Sequence, residues 1–460
     1  MTFEKLTAGV LAVGAFLWGN TSSHAEEGSG ARAQPGFVDA TARLAEMVLK
    51  RDEHLHWNVT SRGKFAGCDY VVVHLVSQVW QDVAWKHTLY ILRPEDTPSD
   101  ESKALMLIAG GSWKTEWGED GPNEPSIPRE AMLLASVAQE VKTPVAILKQ
   151  VPFQPMLDGL KEDALIAHTF QKFIETSDPN WPLLPVMARA ASTALDAVVD
   201  VSESEWNLNL DGFTVTGASK RGWTTYLLGA TDPRVKAIAP MVIDMLNLRQ
   251  QMVHQVNSWG AYSSQIEDYT RRGLQQAMAG PDGKALLELV DPYEHREALT
   301  MPKLILLGAN DPYWPADATQ HYFDQLPGPK LLLNIPNNNH GLSDIPRIVG
   351  GVSTLHRFVR DNRDMPQWEV KAEPIANGLR LRATCDEVPS EVAFWRAESS
   401  TRDLRSATWV ATPVTRNVAG YWTIDLTDTK DGSTGGFLEA RYETGGTFPL
   451  SATSQIYVVD

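Results

Sequence analysis

Ser219, Asp311 and His340 together carry the parts of a nucleophilic catalyst. A serine hydroxyl attacks a carbonyl well only when a base takes its proton, and the usual base is an imidazole held by a carboxylate. Ser219 lies in Val215-Thr-Gly-Ala-Ser-Lys-Arg-Gly-Trp223, between a short β-branched run and a run of helical character. A strand, a Gly-x-Ser turn and a helix make the elbow that lifts a nucleophile above the end of a sheet. Gly217 and Gly222 suit the close packing of such a turn. The spacing is G-x-S-x-x-G, with Arg221 where a second glycine normally stands. Taken alone, the stretch also fits an ordinary strand-to-helix connection with a capping serine.

Asp311 and His340 follow in the chain order that this kind of sheet requires, each directly after an apolar strand. Loops at strand C-terminal ends face one crevice, so residues distant in sequence can meet there. Each has a plainer reading: Asp311 before Pro312 as a turn initiator, His340 in an Asn-rich loop as a solvated residue. Asp244, after the preceding strand, is a rival acid, and His254 is a rival base. An oxyanion formed by attack needs preorganised donors. The Lys220 N–H, and that of Gly111 or Ser112 after the strand at 104–109, are placed to supply them. The Lys220 side chain either adds positive charge there or forms a surface salt bridge. Trp113, Trp223, Trp259 and Trp314 are expected to line an aromatic substrate pocket.

The elements that must hold these residues alternate along the chain. Residues 37–50 have helical spacing. Residues 69–80 and 85–93 read as an antiparallel hairpin turning near Gln81. Apolar strands at 104–109, 144–148, 213–216, 235–243, 303–307 and 330–335 alternate with helices at 127–141, 162–175, 182–202 and 345–360. Antiparallel strands followed by β-α units imply a mostly parallel sheet covered on both faces. Some sixty residues between the strands ending at 243 and starting at 303 carry helical patterns, placed to form a lid at about 245–300. From 366 the composition shifts to seven short alternating runs separated by turns, the pattern of an antiparallel β-sandwich.

With 460 residues, 43% apolar content and 15 Trp, the chain can bury a large core. A net charge of −16 argues against a nucleic-acid partner. Residues 1–25 read as a signal peptide: Lys5, a short apolar run, then Ser23-His-Ala25. No later segment is apolar for long enough to span a membrane. A periplasmic or secreted protein is expected. Cys68 and Cys385 are either bridged or separate thiols, and no metal-type Cys/His spacing occurs; His54 and His56 read as surface residues.

Gly217-Ala-Ser-Lys-Arg-Gly-Trp-Thr-Thr225, Pro240-Met-Val-Ile-Asp-Met-Leu-Asn247 and Gly308-Ala-Asn-Asp-Pro-Tyr-Trp314 resemble the PhoPQ-activated pathogenicity-related proteins. The resemblance implies an α/β-hydrolase fold with a Ser219–Asp311–His340 assignment, export, and by the family's name an association with virulence. Ser219-Lys-Arg-Gly222 is also similar to the elbow of glucuronoyl esterases, which implies that a basic residue assists the oxyanion. The expectation is therefore an α/β-hydrolase domain at 26–365, with a helical lid and a C-terminal β-sandwich at 366–460. Its function would be that of an exported serine hydrolase acting on a small ester or short peptide, with no cofactor or metal. The oligomeric state stays open. The rival is a hydrolase-fold protein that binds a ligand or peptide without turnover; a third reading makes the C-terminal strands an adhesion or carbohydrate-binding module.

Overall fold

The computed structural model describes residues 39–118, 121, 127–128, 130–428 and 431–460. The signal-peptide reading of residues 1–25 lies outside them. Asp39 caps α1 (Ala40–Leu49) by accepting the Thr41 N–H. Strands β1 (His56–Phe65), β2 (Cys68–Trp80) and β3 (Val83–Pro94) then form an antiparallel meander. The sequence pattern does not mark β1. It is the outermost strand of the sheet, and no residue in it is fully buried, so apolar periodicity is weak. His54 and His56 are exposed there.

Parallel strands follow: β4 (Lys103–Ile108), then α2 (Ala131–Val141), β5 (Val145–Leu148), α3 (Glu162–Thr176), α4 (Leu183–Trp206), β6 (Gly212–Ala218), α5 (Lys220–Thr231) and β7 (Val235–Met241). After β7 the predicted insertion folds as α6 (Leu248–Trp259), the short α7 (Glu267–Thr270) and α8 (Leu274–Ala277), and α9 (Pro281–Val290). The chain returns through β8 (Lys303–Gly308), β9 (Lys330–Ile335) and α10 (Ile345–Arg360). The order β1-β2-β3-β5-β4-β6-β7-β8-β9, antiparallel at the start and parallel from β5 onward, is that of an α/β-hydrolase.

Strand residues alternate between two cores, as a period of two requires. Met106, Val215, Ile238 and Ile305 face the core shared with α4 and α5. Leu105, Ala239, Leu304 and Leu333 face the core shared with α2 and α10. Burial on both faces is why these runs are continuously apolar.

Beyond α10 come β10 (Trp368–Ile375), β11 (Gly378–Cys385), β12 (Glu391–Ser399), β13 (Val410–Pro413), β14 (Trp422–Thr427), β15 (Ser433–Tyr442), β16 (Leu450–Thr453) and β17 (Tyr457–Val459). They form two antiparallel layers. One is β10-β11-β14; the other contains β16-β15-β12-β13, with β17 on β15. A side chain on Gly436 of β15 would come within 2.8 Å of Leu426 of β14, which is how closely the layers meet. The sequence reading missed β16, a four-residue strand. Through Thr453 it pairs with Leu332 of β9, so the second layer continues the hydrolase sheet. Cys68 and Cys385 are both free thiols.

Candidate active site

The β6 strand is buried as far as Gly217 and leads into Ser219, whose φ of 58° and ψ of −127° are costly for a residue with a Cβ. The N–H of Ser219 donates to the Met241 carbonyl, 2.8 Å away, and holds the turn against β7. A Cβ on Gly217 would lie 2.7 Å from the Arg221 carbonyl oxygen; one on Gly222 would lie 2.8 Å from that of Met241. Both glycines are required by close approach of backbone, and the wider G-x-S-x-x-G spacing still provides it.

His340, in the loop after β9, meets Ser219 Oγ with Nε2 at 2.9 Å. Its Nδ1 meets Asp311 Oδ2, from the loop after β8, at 2.8 Å. With Nδ1–H donated to the carboxylate, Nε2 is left to accept the serine proton. The other carboxylate oxygen accepts the Tyr313 N–H at 2.9 Å, and the Tyr313 ring stacks on the imidazole with centroids 4.1 Å apart. The sequence reading did not single out Tyr313; its place two residues after an Asp, where an Asx turn folds it back, was the available signal.

Arg221, the departure from the usual elbow, points away from the nucleophile. Its guanidinium grips Glu162 at the start of α3 through two bonds of 2.7 and 2.8 Å, and its Nε donates to the Val151 carbonyl. It also lies against Gly110, where a Cβ would come within 2.4 Å of it. The residue thus ties the elbow to the loop that follows β4. The Lys220 ammonium is buried between Glu162 and Asp163, at 3.0 and 3.1 Å. Of the two expectations for Lys220, the surface bridge does not hold: its ammonium is buried, and both it and Asp163 line the cavity. Asp163 also accepts from the Tyr269 hydroxyl of the lid at 3.0 Å.

A cavity of about 60 Å³ opens beside Ser219 and His340, under the lid. Trp223 and Trp314 line it, with Met252, Ile266 and Met278 from the lid. The other two tryptophans do not. Trp113 packs edge-on against Trp117 and beside Phe153, and Trp259 lies under the Arg405 guanidinium at 4.1 Å. Both side chains are taken up by these other contacts. Gly111, with φ of 121°, and Ser112 sit in the loop after β4, outside the cavity lining; Lys220 lies within it.

Neither rival takes the place of its counterpart. His254 bonds Asp317 at 2.6 Å. Asp244 is buried beside Tyr322, and that burial pushes its carboxyl up to about 8, with Asp311 and Asp317 adding repulsion. Burial also acts to raise Glu162, but the bonds and charge of Arg221, with Lys220, hold it down at about 2.

These two shifts have opposite consequences for stability. Asp244 favours the fold fully below its ordinary 3.8, and that contribution is lost as pH rises through about 8. Glu162 favours the fold above its ordinary 4.5, and that contribution is lost as pH falls through about 2. Asp244 should therefore contribute a decline in stability between mildly acidic and mildly basic pH, of up to about 1.4 kcal/mol per pH unit, set against opposite slopes from groups such as His87 and Lys303, whose burial lowers them to about 4 and about 7. Asp244→Asn should flatten that decline in melting curves taken across the window; an unchanged slope would show that Asp244 is not the group responsible.

Among the described residues no group of three or more His, Cys, Asp or Glu could hold a metal ion, and no helix is long and apolar enough to cross a membrane.

The family described as PhoPQ-activated pathogenicity-related protein matches residues 44–405. Autocrine proliferation repressor protein A of Dictyostelium discoideum is 29% identical over 455 residues, covering 90% of each chain. Solved structures that resemble the chain include an acetyl xylan esterase from Paenibacillus, at 12% identity and a TM-score of 0.45, covering 65% of this chain and 87% of that one. A glucuronoyl esterase from Solibacter usitatus gives 15% identity and a TM-score of 0.36, over 69% and 92% of the two chains. The family match extends through both the elbow and the His340 loop, and on it the chain belongs to the PhoPQ-activated pathogenicity-related protein family.

Proposed function

We propose that the protein is an exported serine hydrolase that cleaves an ester or amide through an acyl-enzyme. The observation that carries the reading is the unbroken hydrogen-bond chain from Ser219 through His340 to Asp311 at the edge of a lid-covered cavity. His340 takes the hydroxyl proton as Ser219 Oγ bonds to the carbonyl carbon, and Asp311 holds the imidazolium. The Lys220 N–H at the start of α5, with that of Gly111 or Ser112, receives the oxyanion. His340 then passes its proton to the leaving alcohol or amine. Water attacks the acyl-enzyme with His340 again as base, which frees the acid and Ser219. The Lys220 ammonium is engaged by two carboxylates and belongs to an ion-pair cluster with Arg221, so it does not stand free as a charge. Export rests on the composition of residues 1–25.

The non-catalytic reading drew its argument from Arg221 at the second-glycine position. That side chain occupies a structural ion pair and leaves Ser219 uncovered, so the altered motif does not speak against turnover. Labelling with a fluorophosphonate probe tests the proposal. Wild type should be labelled and Ser219→Ala should not. Labelling that persists in the variant moves the nucleophile elsewhere, and an unlabelled wild type returns the site to ligand binding. A panel of p-nitrophenyl esters and aminoacyl p-nitroanilides then separates esterase from peptidase.

A further inference from the structure

Met252, Gln275 and Met278 line two spaces at once. On one side is the cavity beside Ser219; on the other is a groove on the outer face of the lid. They form a partition one side chain thick between the nucleophile and the surface. Two of its three members are methionines, unbranched side chains that change rotamer easily and repack around apolar ligands. The third, Gln275, has a buried side-chain oxygen with no hydrogen-bond partner among the described residues. That oxygen therefore gains no bond by holding its present position.

The groove beyond is apolar along the helix. Val253 and Val256 of α6 line it and are 57% and 40% exposed, and Tyr262 and Ala279 face them. Arg249 is the charged residue in its lining, and no acid contributes to it. Large apolar side chains left open to water beside a reactive cavity mark a binding surface. The inner cavity of about 60 Å³ falls well below the size of an ordinary small-molecule pocket. A substrate with more than a short acyl group must continue past the partition, and the groove lies directly behind it.

Resting on the hydrolase reading, we infer that the substrate carries an unbranched aliphatic chain that passes between Met252 and Met278 and lies along Val253 and Val256 on the lid. Along that path the chain meets apolar side chains, with Arg249 the one charge in the lining. A flexible chain also suits a passage made of side chains that must part to admit it. Such a chain belongs either to the acyl group or to the alcohol of an ester, and the shared chemistry is what the groove reads.

The experiment compares kcat/KM for p-nitrophenyl octanoate and p-nitrophenyl acetate in wild type, Val253→Glu, Val256→Glu and Met278→Trp. The two glutamates sit on exposed positions that tolerate charge. Each variant should lower the octanoate-to-acetate ratio by about tenfold, the scale on which apolar contacts discriminate substrates. Octyl acetate against ethyl acetate forms the second arm. A ratio that shifts there and not in the acyl series assigns the groove to the alcohol. Ratios unchanged in both series, or equal losses on long and short esters, overturn the inference.

Calorimetric binding of decanoate to Ser219→Ala separates this outcome from failure of the hydrolase reading. Binding weakened about tenfold by Val256→Glu supports the groove even when no ester is turned over. Decanoate that does not bind, or binds equally to both, overturns it.

Discussion

Ser219→Ala should lower kcat by about 10⁶-fold, the scale found when the nucleophile of a serine triad is removed. The size follows from what remains. Without the hydroxyl no acyl-enzyme forms, and only positioning and oxyanion donors act on a water. His340→Ala should cost a similar factor, and the double variant should lose little more than either single one, because the two residues act as a unit. The chain should stay folded, since alanine takes over the same backbone angles and the same small volume. Ser219→Gly offers an internal check. It should be equally inactive yet melt higher, because glycine adopts a φ of 58° without the penalty of about 1–3 kcal/mol that a Cβ brings. Steady-state kinetics on an activated ester, with melting curves of wild type and the four variants, test this. A Ser219→Ala variant retaining a tenth of wild-type kcat would remove Ser219 from the role of nucleophile.

The second large effect should come from residues that touch neither serine nor substrate. Asn310 precedes Asp311, and its side-chain amide donates to the carbonyls of Leu404, Arg405 and Ala407 at 3.1, 3.4 and 2.8 Å. Asn337, three residues before His340, pairs with Trp409 in both directions: its amide donates to the Trp409 carbonyl at 2.9 Å and its oxygen accepts the Trp409 N–H at 2.8 Å. Leu404 and Trp409 are themselves buried against the glycine surface of β15, where a Cβ on Gly435 would strike both. The same segment reaches the lid. Arg402 bonds Asp317, which holds His254 of α6, and Arg405 covers Trp259. Residues 402–409 thus brace the acid loop, the base loop and one end of the lid from the C-terminal strands. A misplacement of about 1 Å in such loops costs on the order of 10²-fold in rate.

Asn337→Ala should therefore lower kcat roughly 10- to 100-fold, with a smaller change in KM, and slow fluorophosphonate labelling of Ser219 in parallel. Asn337→Gln should not restore it, because the longer side chain cannot make both bonds to Trp409. Truncation after Asp361 should remove activity altogether, since it exposes β9 and the faces that β16 and residues 402–409 cover. An active truncated protein, or an Asn337→Ala variant of unchanged kcat, would show that the C-terminal layers are an appendage.

Much of this arrangement can be read from local signals. The hairpin, the parallel strands and the helices that cover them follow from apolar runs of the right length and from turn residues between them. The meeting of Ser219, Asp311 and His340 follows from chain order, because each comes after a strand whose C-terminal end faces the same crevice. The insertion after β7 announces itself by length alone. Elsewhere the local signal misleads. Arg221 reads as damage to a motif, when it is the anchor between the elbow, Glu162 and the loop at Gly110. Trp113 and Trp259 read as pocket residues from topology, yet a position near a crevice does not fix where a long side chain turns. Glu162 and Asp163 carry no mark beyond two acids at a helix start, and only folding puts Lys220 between them.

Sequence by itself determined the alternation of strands and helices, the order of Ser219, Asp311 and His340 and the glycines that let the elbow close. These depend on burial periodicity and backbone sterics, which act over a few residues. Tertiary structure alone decided that a four-residue strand, β16, would join the C-terminal layers to the hydrolase sheet, and that residues 402–409 would brace the loops of Asp311 and His340. Those contacts link positions about a hundred residues apart through single pairs of backbone and amide groups. Hydrogen bonds of that kind leave no periodic trace in the chain, because any exposed Asn or short polar strand could make them and only the folded geometry selects which ones do.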